Sequence, residues 1–240
     1  MMSELEPRLK NQLLTSLPQE DYQTLQPRLE YVDLSLGEVL YQAGEEIEFV
    51  YFPENALISL LGSLPDGTMT EFAMIGNEGL VGIGALLGGN ISIDQAIVQL
   101  ADGAWRIDAA ILKQEFDRGG VLQKHLLLYI QYLIAQIAQN MICKTRHFTE
   151  QRLARWLLSI QDRLQSDHYT LTQKYIAELL NTRRATITEA AGNLQRQGTI
   201  RYSRGEITIL DRPALEACAC ECYDILKQEQ ERLHRIRQNL

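Results

Sequence analysis

The chain has 240 residues and a formal net charge of −8, and 45% of its residues are hydrophobic. This length allows two modest domains, each with its own buried core. The N-terminus lacks the apolar segment of a signal peptide, and no uninterrupted apolar run is long enough to span a membrane. The sequence therefore predicts a cytoplasmic protein without a membrane anchor. The four cysteines do not have the pattern of a secreted disulfide framework.

Charge is unevenly distributed along the chain. Residues 1–142 carry 7 basic and 19 acidic side chains, whereas residues 143–204 carry 11 basic and 5 acidic side chains. An acidic first half joined to a basic segment indicates a polyanion-binding module attached to another domain. Ordinary fluctuation in charge is the alternative interpretation.

Residues 1–120 begin with short amphipathic helices and continue as short apolar runs broken by glycine and proline. Strand-like segments at 56–64 and 68–75 flank a Pro-Asp-Gly turn, in which Gly67 can take the positive φ of a tight hairpin. A last pair of strands is predicted within residues 94–108. The overall class is α+β, and this spacing of strands predicts an N-terminal β-roll, a double-stranded β-helix of the jelly-roll kind.

The next segment, residues 121–147, is predicted to form a dimerisation helix followed by a hinge. Apolar residues and one asparagine recur at the 4-3-4-3 spacing of a coiled-coil seam, namely Leu126, Ile130, Leu133, Ile137 and Asn140. We therefore predict a parallel homodimer in which Asn140 faces its twin. The alternative is a helix buried against its own β-roll. A second apolar stripe allows both arrangements at once, and it consists of Leu127, Ile134, Ala138 and Met141.

Residues 148–240 are predicted to form a winged helix-turn-helix domain with a C-terminal helix. After an amphipathic helix, a short helix begins behind the capping residue Thr172 and ends before a turn at Asn181. A second helix over residues 183–198 buries one apolar face. Two short strands joined through Arg204 and Gly205 then complete the wing.

The polar side chains of this domain are suited to DNA. Arginine pairs with guanine, glutamate accepts a hydrogen bond from the cytosine amino group, and the threonine methyl group contacts thymine. The candidate base-contacting residues on the second helix are Arg183, Arg184, Thr186, Thr188 and Glu189. Thr172, Lys174, Arg201 and Arg204 complete the candidate set, the last three on phosphates. Alternatively, Arg183 and Arg184 form an ordinary solvated face.

This organisation resembles the Crp/Fnr family of transcriptional regulators, which combine a cyclic-nucleotide-binding-like β-roll, a long dimer helix and a winged helix-turn-helix. The most specific match is LTQKYIAELLNTRRATITEAAGNLQ, residues 171–195, in which Arg184 stands where the family's guanine-reading arginine stands. In the cyclic-AMP receptors a glutamate and a second arginine follow, where this chain has Ala185 and Glu189. The resemblance implies a homodimer that binds an inverted repeat in double-stranded DNA and contacts RNA polymerase.

The stretch IGNEGLVGIGALLGGN, residues 75–90 and called the glycine stretch below, resembles the family's phosphate-binding cassette. By that resemblance, Ile83 stands at the position of the ribose-binding glutamate and Asp94 at that of the phosphate-binding arginine. A buried anion without its charged partner, and beside a like charge, is strongly disfavoured. The stretch also fails as a dinucleotide fingerprint, since no helix is predicted to open at Leu87. We predict a degenerate nucleotide site, no control by cyclic AMP, and a glycine-rich bent edge of the roll.

The sequence predicts no cofactor, no metal and no enzymatic activity. Its first cysteine is Cys143 and its first histidine is His125, so the N-terminal iron–sulfur and haem sensors known in the family are disfavoured. Patterns of catalytic carboxylates, nucleophile elbows or zinc-protease helices are not recognisable. The sequence does not identify an effector. The alternative function is a metabolite- or partner-sensing β-roll protein whose DNA binding is secondary.

Three cysteines at positions 218, 220 and 222 are not explained by the resemblance. Residues 214–233 are predicted as one helix, which places Cys218 and Cys222 on one face and Cys220 on another. Together with Cys143 or His234, two thiolates could bind a metal or form a redox disulfide. The favoured alternative is that the small, polarisable cysteine side chains pack against the core of the domain.

Overall fold

The computed structural model describes residues 9–65 and 67–240. Short N-terminal helices, α1 (Gln12–Thr15) and α2 (Gln19–Leu25), precede a β-roll. The strands of the roll are β1 (Glu30–Leu34), β2 (Val39–Tyr41), β3 (Phe49–Pro53), β4 (Leu57–Ser63), β5 (Met69–Ile75), β6 (Gln95–Leu100) and β7 (Asp102–Asp108). They form two antiparallel sheets, one in the order β1-β7-β3 and the other in the order β2-β6-β4-β5. The predicted β-roll is confirmed.

The hairpin of β4 and β5 forms as predicted, with Ser63 opposite Met69 and Gly67 at φ +84°. The aspartate of that turn lies outside the described residues. Both strands predicted within residues 94–108 form, as β6 and β7, but they lie in different sheets, because β6 pairs with β2 and β4 whereas β7 pairs with β1 and β3. The chain changes sheets between these strands, which lets both of them bury apolar side chains in the same core.

Helical elements follow the roll. They are α3 (Ala109–Asp117), α4 (Gly120–Arg146), α5 (Thr149–Leu164), α6 (Gln173–Leu179), α7 (Arg184–Arg196), α8 (Arg212–Cys218) and α9 (Cys222–Arg237). Three short strands lie among them, β8 (His168–Thr170), β9 (Ile200–Ser203) and β10 (Glu206–Ile209), in the order β8-β10-β9. The boundaries of α4 agree with the helix predicted over residues 121–146. The domain boundaries drawn from the sequence stay predictions.

Helix α4 turns its predicted dimer seam toward its own β-roll. Leu126 and Leu133 are 1% and 6% exposed and lie in the core of the roll. The Asn140 side chain donates a hydrogen bond from Nδ2 to the Phe72 carbonyl oxygen, at 2.9 Å. The predicted seam is therefore wrong at Leu126, Leu133 and Asn140. This face packs on the roll because its apolar side chains are then removed from water within a single protomer.

A second face of α4 is apolar and exposed. Leu127, Ile134 and Met141 are 48%, 62% and 66% exposed, and Ile130 and Ile137 lie between them at 3-4-3-4 spacing. Ile137 is 37% exposed and Ile130 is half-buried, and we call these five residues the exposed α4 stripe. By length and composition alone α4 could cross a membrane, with a mean hydropathy of 1.4 in its most apolar window. Its other face, however, packs on the roll as in the core helix of a soluble protein.

The C-terminal segment forms two helices where the sequence predicted one. Helix α8 ends at Cys218, and Ala219 is extended, with φ −75° and ψ 161°. Helix α9 then returns to the N-terminal half of the chain, where Leu233 is 1% exposed in the core of the roll. Gln131 of α4 also donates a hydrogen bond to Glu229 of α9, at 3.3 Å. The last helix therefore packs on α4 rather than only on the DNA-binding domain.

Candidate nucleic-acid interface

Helices α6 and α7 form a helix-turn-helix. The Thr172 hydroxyl caps α6 by accepting a hydrogen bond from the Tyr175 amide at 3.2 Å, which confirms the predicted cap. Asn181 takes a left-handed conformation, with φ +46°, in the turn between the helices. Ile176 and Ile187 are 0% exposed and lie in one core with the apolar face of α5. This core holds α7 in place while its opposite face remains in solvent.

Strands β8, β9 and β10 form the wing. Arg204 and Gly205 make its two-residue turn with φ values of +53° and +90°, as in a hairpin turn whose twist matches that of the flanking strands. The sequence did not predict β8, because three residues give too short an alternation to stand out. Tyr169 of β8 is nevertheless buried and pairs with Ile207 of β10. Helices α6 and α7 and this wing are called the DNA-reading unit below.

The predicted DNA-contacting side chains share one property, which is access to solvent. Those classed as exposed are Thr172, Lys174, Arg183, Arg184, Thr188, Glu189, Arg201 and Arg204. Thr186 is half-buried at the start of α7. Within residues 9–65 and 67–240 no ion pair neutralises any of the four arginines. Their positive charge is therefore available to an anion.

A cleft separates the start of α7 from the wing. It has a volume of about 340 Å³, and it is lined by Thr172, Gln173, Arg184, Tyr202, Arg204 and Gly205. One wall carries Arg184 of the helix and the other carries Arg204 of the wing tip. The Arg204 guanidinium can form charge-assisted bidentate hydrogen bonds with a backbone phosphate there, beside Arg184 at the start of α7.

Gln173 is a residue of this surface that the sequence analysis missed. The Thr188 hydroxyl lies 2.7 Å from Gln173 Oε1 and 3.0 Å from the Arg184 carbonyl oxygen, both of them acceptors. This contact fixes the start of α6 against the second turn of α7. It also occupies the Thr188 hydroxyl, which leaves the methyl group as the part of that side chain available to a base.

The first half of the glycine stretch is a packing site for two helices. A Cβ at Gly79 would lie 2.3 Å from the Tyr129 ring of α4, and a Cβ at Gly76 would lie 2.8 Å from Cβ of Arg163 in α5. Real Cβ atoms do not approach so closely, so these positions allow the helices to lie against the roll. The Tyr129 hydroxyl donates to the Leu80 carbonyl oxygen at 2.8 Å.

A buried ion pair joins the same stretch to α5. Arg163 Nε lies 2.8 Å from Glu78 Oε1, and the two side chains are 9% and 4% exposed. A neighbouring contact connects the Trp156 indole nitrogen to Glu71 Oε1 at 3.0 Å. Burial raises the pKa of Glu71 despite hydrogen bonds from Ser59 and Trp156. The glycine stretch and β5 thus form the contact between the roll and the helix that carries the DNA-reading unit.

Ile83 and Asp94, the two residues of the predicted degenerate site, lie in different local environments. Ile83 lies in a short 3-10 helix, Ile83–Leu87, and packs against the core of the roll. This turn of helix corrects the expectation of a plain bent edge. The Asp94 carboxylate accepts a hydrogen bond from the Ser92 hydroxyl at 2.6 Å, and no ion pair within the described residues offers it a cation.

A family comparison identifies the C-terminal domain. Residues 151–218 match the family described as the Crp-like helix-turn-helix domain, which is a DNA-binding unit and not a catalytic domain. The match begins in α5 and ends with α8, so it includes the whole DNA-reading unit. A comparison with curated protein sequences finds no match to the chain.

Solved structures resemble almost the whole molecule. FixK2 from Bradyrhizobium japonicum is 17% identical with a TM-score of 0.69, over 80% of this chain and 98% of that one. A Crp-family transcriptional regulator from Thermus thermophilus is 20% identical with a TM-score of 0.66, over 78% and 96%. A Crp/Fnr-family regulator from the same organism is 21% identical with a TM-score of 0.62, over 79% and 98%. At these identities the likeness establishes the fold. Residues 151–218 are therefore a Crp-like helix-turn-helix domain, within a chain that has the fold of the Crp/Fnr transcriptional regulators.

Proposed function

We propose that the protein is a homodimeric, sequence-specific regulator of transcription that acts in the cytoplasm and reads an inverted repeat in DNA. The observation that carries the proposal is the cationic start of α7, where Arg183 and Arg184 are exposed beside the cleft of the wing and have no ion-pair partner among the described residues. An α-helix fits the major groove, and residues of its first turns reach the base edges.

The candidate side chains of the DNA-reading unit divide into base contacts and phosphate contacts in this proposal. Arg184, at the first position of α7, pairs with the O6 and N7 atoms of guanine. Glu189 accepts a hydrogen bond from a cytosine amino group, and the Thr188 methyl group contacts thymine. The remaining contacts fix the register of the protein on phosphates, which carry no direct sequence information. Those contacts come from Thr172, Lys174, Arg201 and Arg204.

The second part of the proposal is dimerisation through the exposed α4 stripe. Its residues recur at the spacing of a coiled-coil seam, and water contacts them in the isolated protomer. Two copies of α4 that pack through this stripe would bury five apolar side chains each. The hydrophobic effect then favours association, since a contiguous exposed apolar surface marks an interaction site.

The third part concerns control. Ile83 and Asp94 give the roll no partner for a cyclic phosphate, so we propose that cyclic AMP does not regulate DNA binding. The dimer is then either constitutively competent or gated by another signal. Contact with RNA polymerase is part of the proposed role in transcription, and it has the family resemblance as its support.

Selection of bound DNA from a random pool tests the proposal. Purified full-length protein should enrich an inverted repeat whose half-sites are about 34 Å apart, one turn of the double helix. The selection should succeed without any nucleotide. If no sequence is enriched, the proposal fails, and the alternative of a β-roll sensor with secondary DNA binding becomes the better account.

A further inference from the structure

Three cysteines and one histidine converge where the dimer helix meets the C-terminal helices. Cys143 lies in the last turn of α4, and His147 caps that helix. Cys220 lies in the break between α8 and α9, and Cys222 is the first residue of α9. One ligand atom from each of the four residues lies within 4.8 Å of the other three.

This arrangement differs from the one expected from a single C-terminal helix. Cys218 does not join the group, because its Sγ contacts Gln197 Oε1 at 2.9 Å. His234 is also elsewhere, with its Nε2 at 2.9 Å from the Gln238 side chain. The extended backbone at Ala219 reverses the chain and brings Cys220 to the Cys143 side chain.

Two of the distances within the group match the edges of a tetrahedral zinc site. Cys143 Sγ lies 3.5 Å from Cys220 Sγ, and Cys222 Sγ lies 3.5 Å from His147 Nδ1. Zinc bonds of about 2.3 Å to sulfur and about 2.0–2.1 Å to nitrogen give tetrahedral edges of roughly 3.5–3.8 Å. A four-iron cluster would hold the thiolates farther apart, since several iron and sulfide atoms would separate them.

The surrounding hydrogen bonds also suit a metal centre. His147 Nε2 lies 3.2 Å from Glu221 Oε1, so Nδ1 is left to face Cys222. Such a carboxylate partner fixes the orientation and tautomer of metal-binding histidines. Gln139 Nε2 lies 3.0 Å from Cys222 Sγ, in position to donate to a thiolate.

The local charge favours thiolates as well. Arg152 and Arg155 are both buried, and Arg155 Nε has no hydrogen-bond partner among the described residues. Both guanidinium groups interact electrostatically with Cys143. Three thiolates around a divalent ion carry one net negative charge, which a buried guanidinium can balance.

We propose that Cys143, His147, Cys220 and Cys222 bind one zinc ion in a closed tetrahedral site. Binding breaks three S–H bonds and forms three Zn–S bonds and one Zn–N bond, and the protons leave to solvent. No electron is transferred. The four protein ligands leave no open position for a substrate, so the site is structural.

The location of the site would let the zinc ion hold neighbouring helices in a fixed arrangement. His147 is the first of the two residues that connect α4, the dimer helix, to α5 and the DNA-binding domain. The zinc ion would tie this connection to the chain reversal between α8 and α9. It would therefore fix the direction in which α5 and the DNA-reading unit leave the dimer helix.

Metal analysis of full-length protein, expressed in zinc-supplemented medium and purified without chelator, tests the proposal. About one zinc ion per chain is expected. Cys143→Ser and Cys220→Ser should each lose most of it. Cys218→Ser is the matched control, because it removes a cysteine outside the group, and this variant should keep the full zinc content. Cobalt in place of zinc should give the visible absorption of a tetrahedral thiolate site.

A second variant keeps the test valid where a cysteine variant fails to fold. Glu221 is exposed, so Glu221→Gln should fold normally while its zinc affinity falls by about 10–100-fold, as for other outer partners of metal-binding histidines. The proposal is overturned by protein without zinc, by iron with sulfide in its place, or by a Cys143–Cys220 disulfide in fresh reduced preparations. Metal content is measured without DNA, so this outcome is independent of the proposed function.

Discussion

The DNA-reading unit and the glycine stretch of the β-roll orient their polar side chains in opposite directions. In the DNA-reading unit, Arg183 and Arg184 face solvent without an ion-pair partner among the described residues. In the glycine stretch, Glu78 faces the interior and pairs with Arg163 of α5. The first region is therefore available to a ligand outside the protein, whereas the second is occupied by the protein itself.

The difference teaches that a fold and a binding site depend on different residues. The roll forms because its apolar side chains fill one core and because Gly76 and Gly79 admit α5 and α4. Neither requirement involves a nucleotide. A nucleotide site needs a ribose acceptor and a cation, and we propose that Ile83 and Asp94, which stand at those positions by the family resemblance, do not provide them. The same stretch can thus keep the shape of a sensor while it serves as a contact between domains.

The largest expected effect comes from breaking the proposed dimer. Ile134→Glu places a charge in the exposed α4 stripe, at a side chain that is 62% exposed in the protomer. We expect monomers by analytical ultracentrifugation and about 100- to 10,000-fold weaker binding to an inverted repeat, because the second half-site no longer binds intramolecularly.

Ile93→Glu is the matched control for that change. Ile93 is 92% exposed and precedes β6 in the roll, so this variant should stay dimeric and bind DNA normally. A dimer that persists with Ile134→Glu would show that the protein associates through another surface.

The next effect concerns the contact between the roll and α5. Glu78→Gln leaves the buried guanidinium of Arg163 without its charged partner, which typically costs about 3–5 kcal/mol. The free energy of unfolding, measured by urea denaturation, should fall by that amount. Glu30→Gln is the control, since it removes a more exposed ion pair with Arg106 and should cost about 0–1 kcal/mol. Equal effects of the two changes would contradict a special role for the glycine stretch.

A smaller effect separates base reading from phosphate binding within the DNA-reading unit. Arg184→Ala should weaken binding to the selected site by about 1–3 kcal/mol per half-site and relax sequence preference there. Lys174→Ala should weaken all DNA alike and reduce the salt dependence by about one unit. Anisotropy titrations on selected and scrambled duplexes at several salt concentrations distinguish them. If the Arg184→Ala variant bound its selected site unchanged, the predicted register of α7 on the DNA bases would be wrong.

The smallest expected effect is that of cyclic nucleotides. Calorimetry with cyclic AMP or cyclic GMP at millimolar concentrations should detect no binding, and DNA affinity should not change. The reason is that Asp94 places a negative charge where a cyclic phosphate would need a positive one. A micromolar dissociation constant for either nucleotide would contradict our account of the glycine stretch.

The sequence predicts the DNA-reading unit well because its determinants are local. The cap at Thr172, the apolar face with Ile187, and the turn at Arg204 each depend on residues within a few positions of one another. The β4–β5 hairpin is predictable for the same reason. A match to a known motif then adds the relative positions of these elements.

The face of α4 that packs on the roll could not be chosen from the sequence. Two stripes, one through Leu126 and one through Leu127, have similar apolar content and nearly the same spacing. Contacts with distant strands decide which of them is buried, as with Tyr129 against Gly79 and Asn140 against Phe72. Periodicity identifies a helix with two apolar faces, but only the tertiary fold assigns a partner to each face.

The grouping of the three cysteines and His147 also could not be predicted from local sequence patterns. Residues 214–233 contain no glycine or proline, so propensity favours one uninterrupted helix. Tertiary contacts override this preference at Ala219 and place Cys220 beside Cys143, 77 positions away in sequence. The linear spacing of the four residues matches no common zinc motif, although the three-dimensional arrangement does fit a tetrahedral ion.

The specificity ratio for DNA tests the central claim most directly. Dissociation constants are measured at physiological salt, without nucleotide, for the selected inverted repeat and for a scrambled duplex of the same composition. We predict that the repeat binds about 10³–10⁷-fold more tightly, the range of sequence-specific DNA-binding proteins. Equal dissociation constants for the two duplexes would contradict the assignment of α7 as a sequence-reading helix.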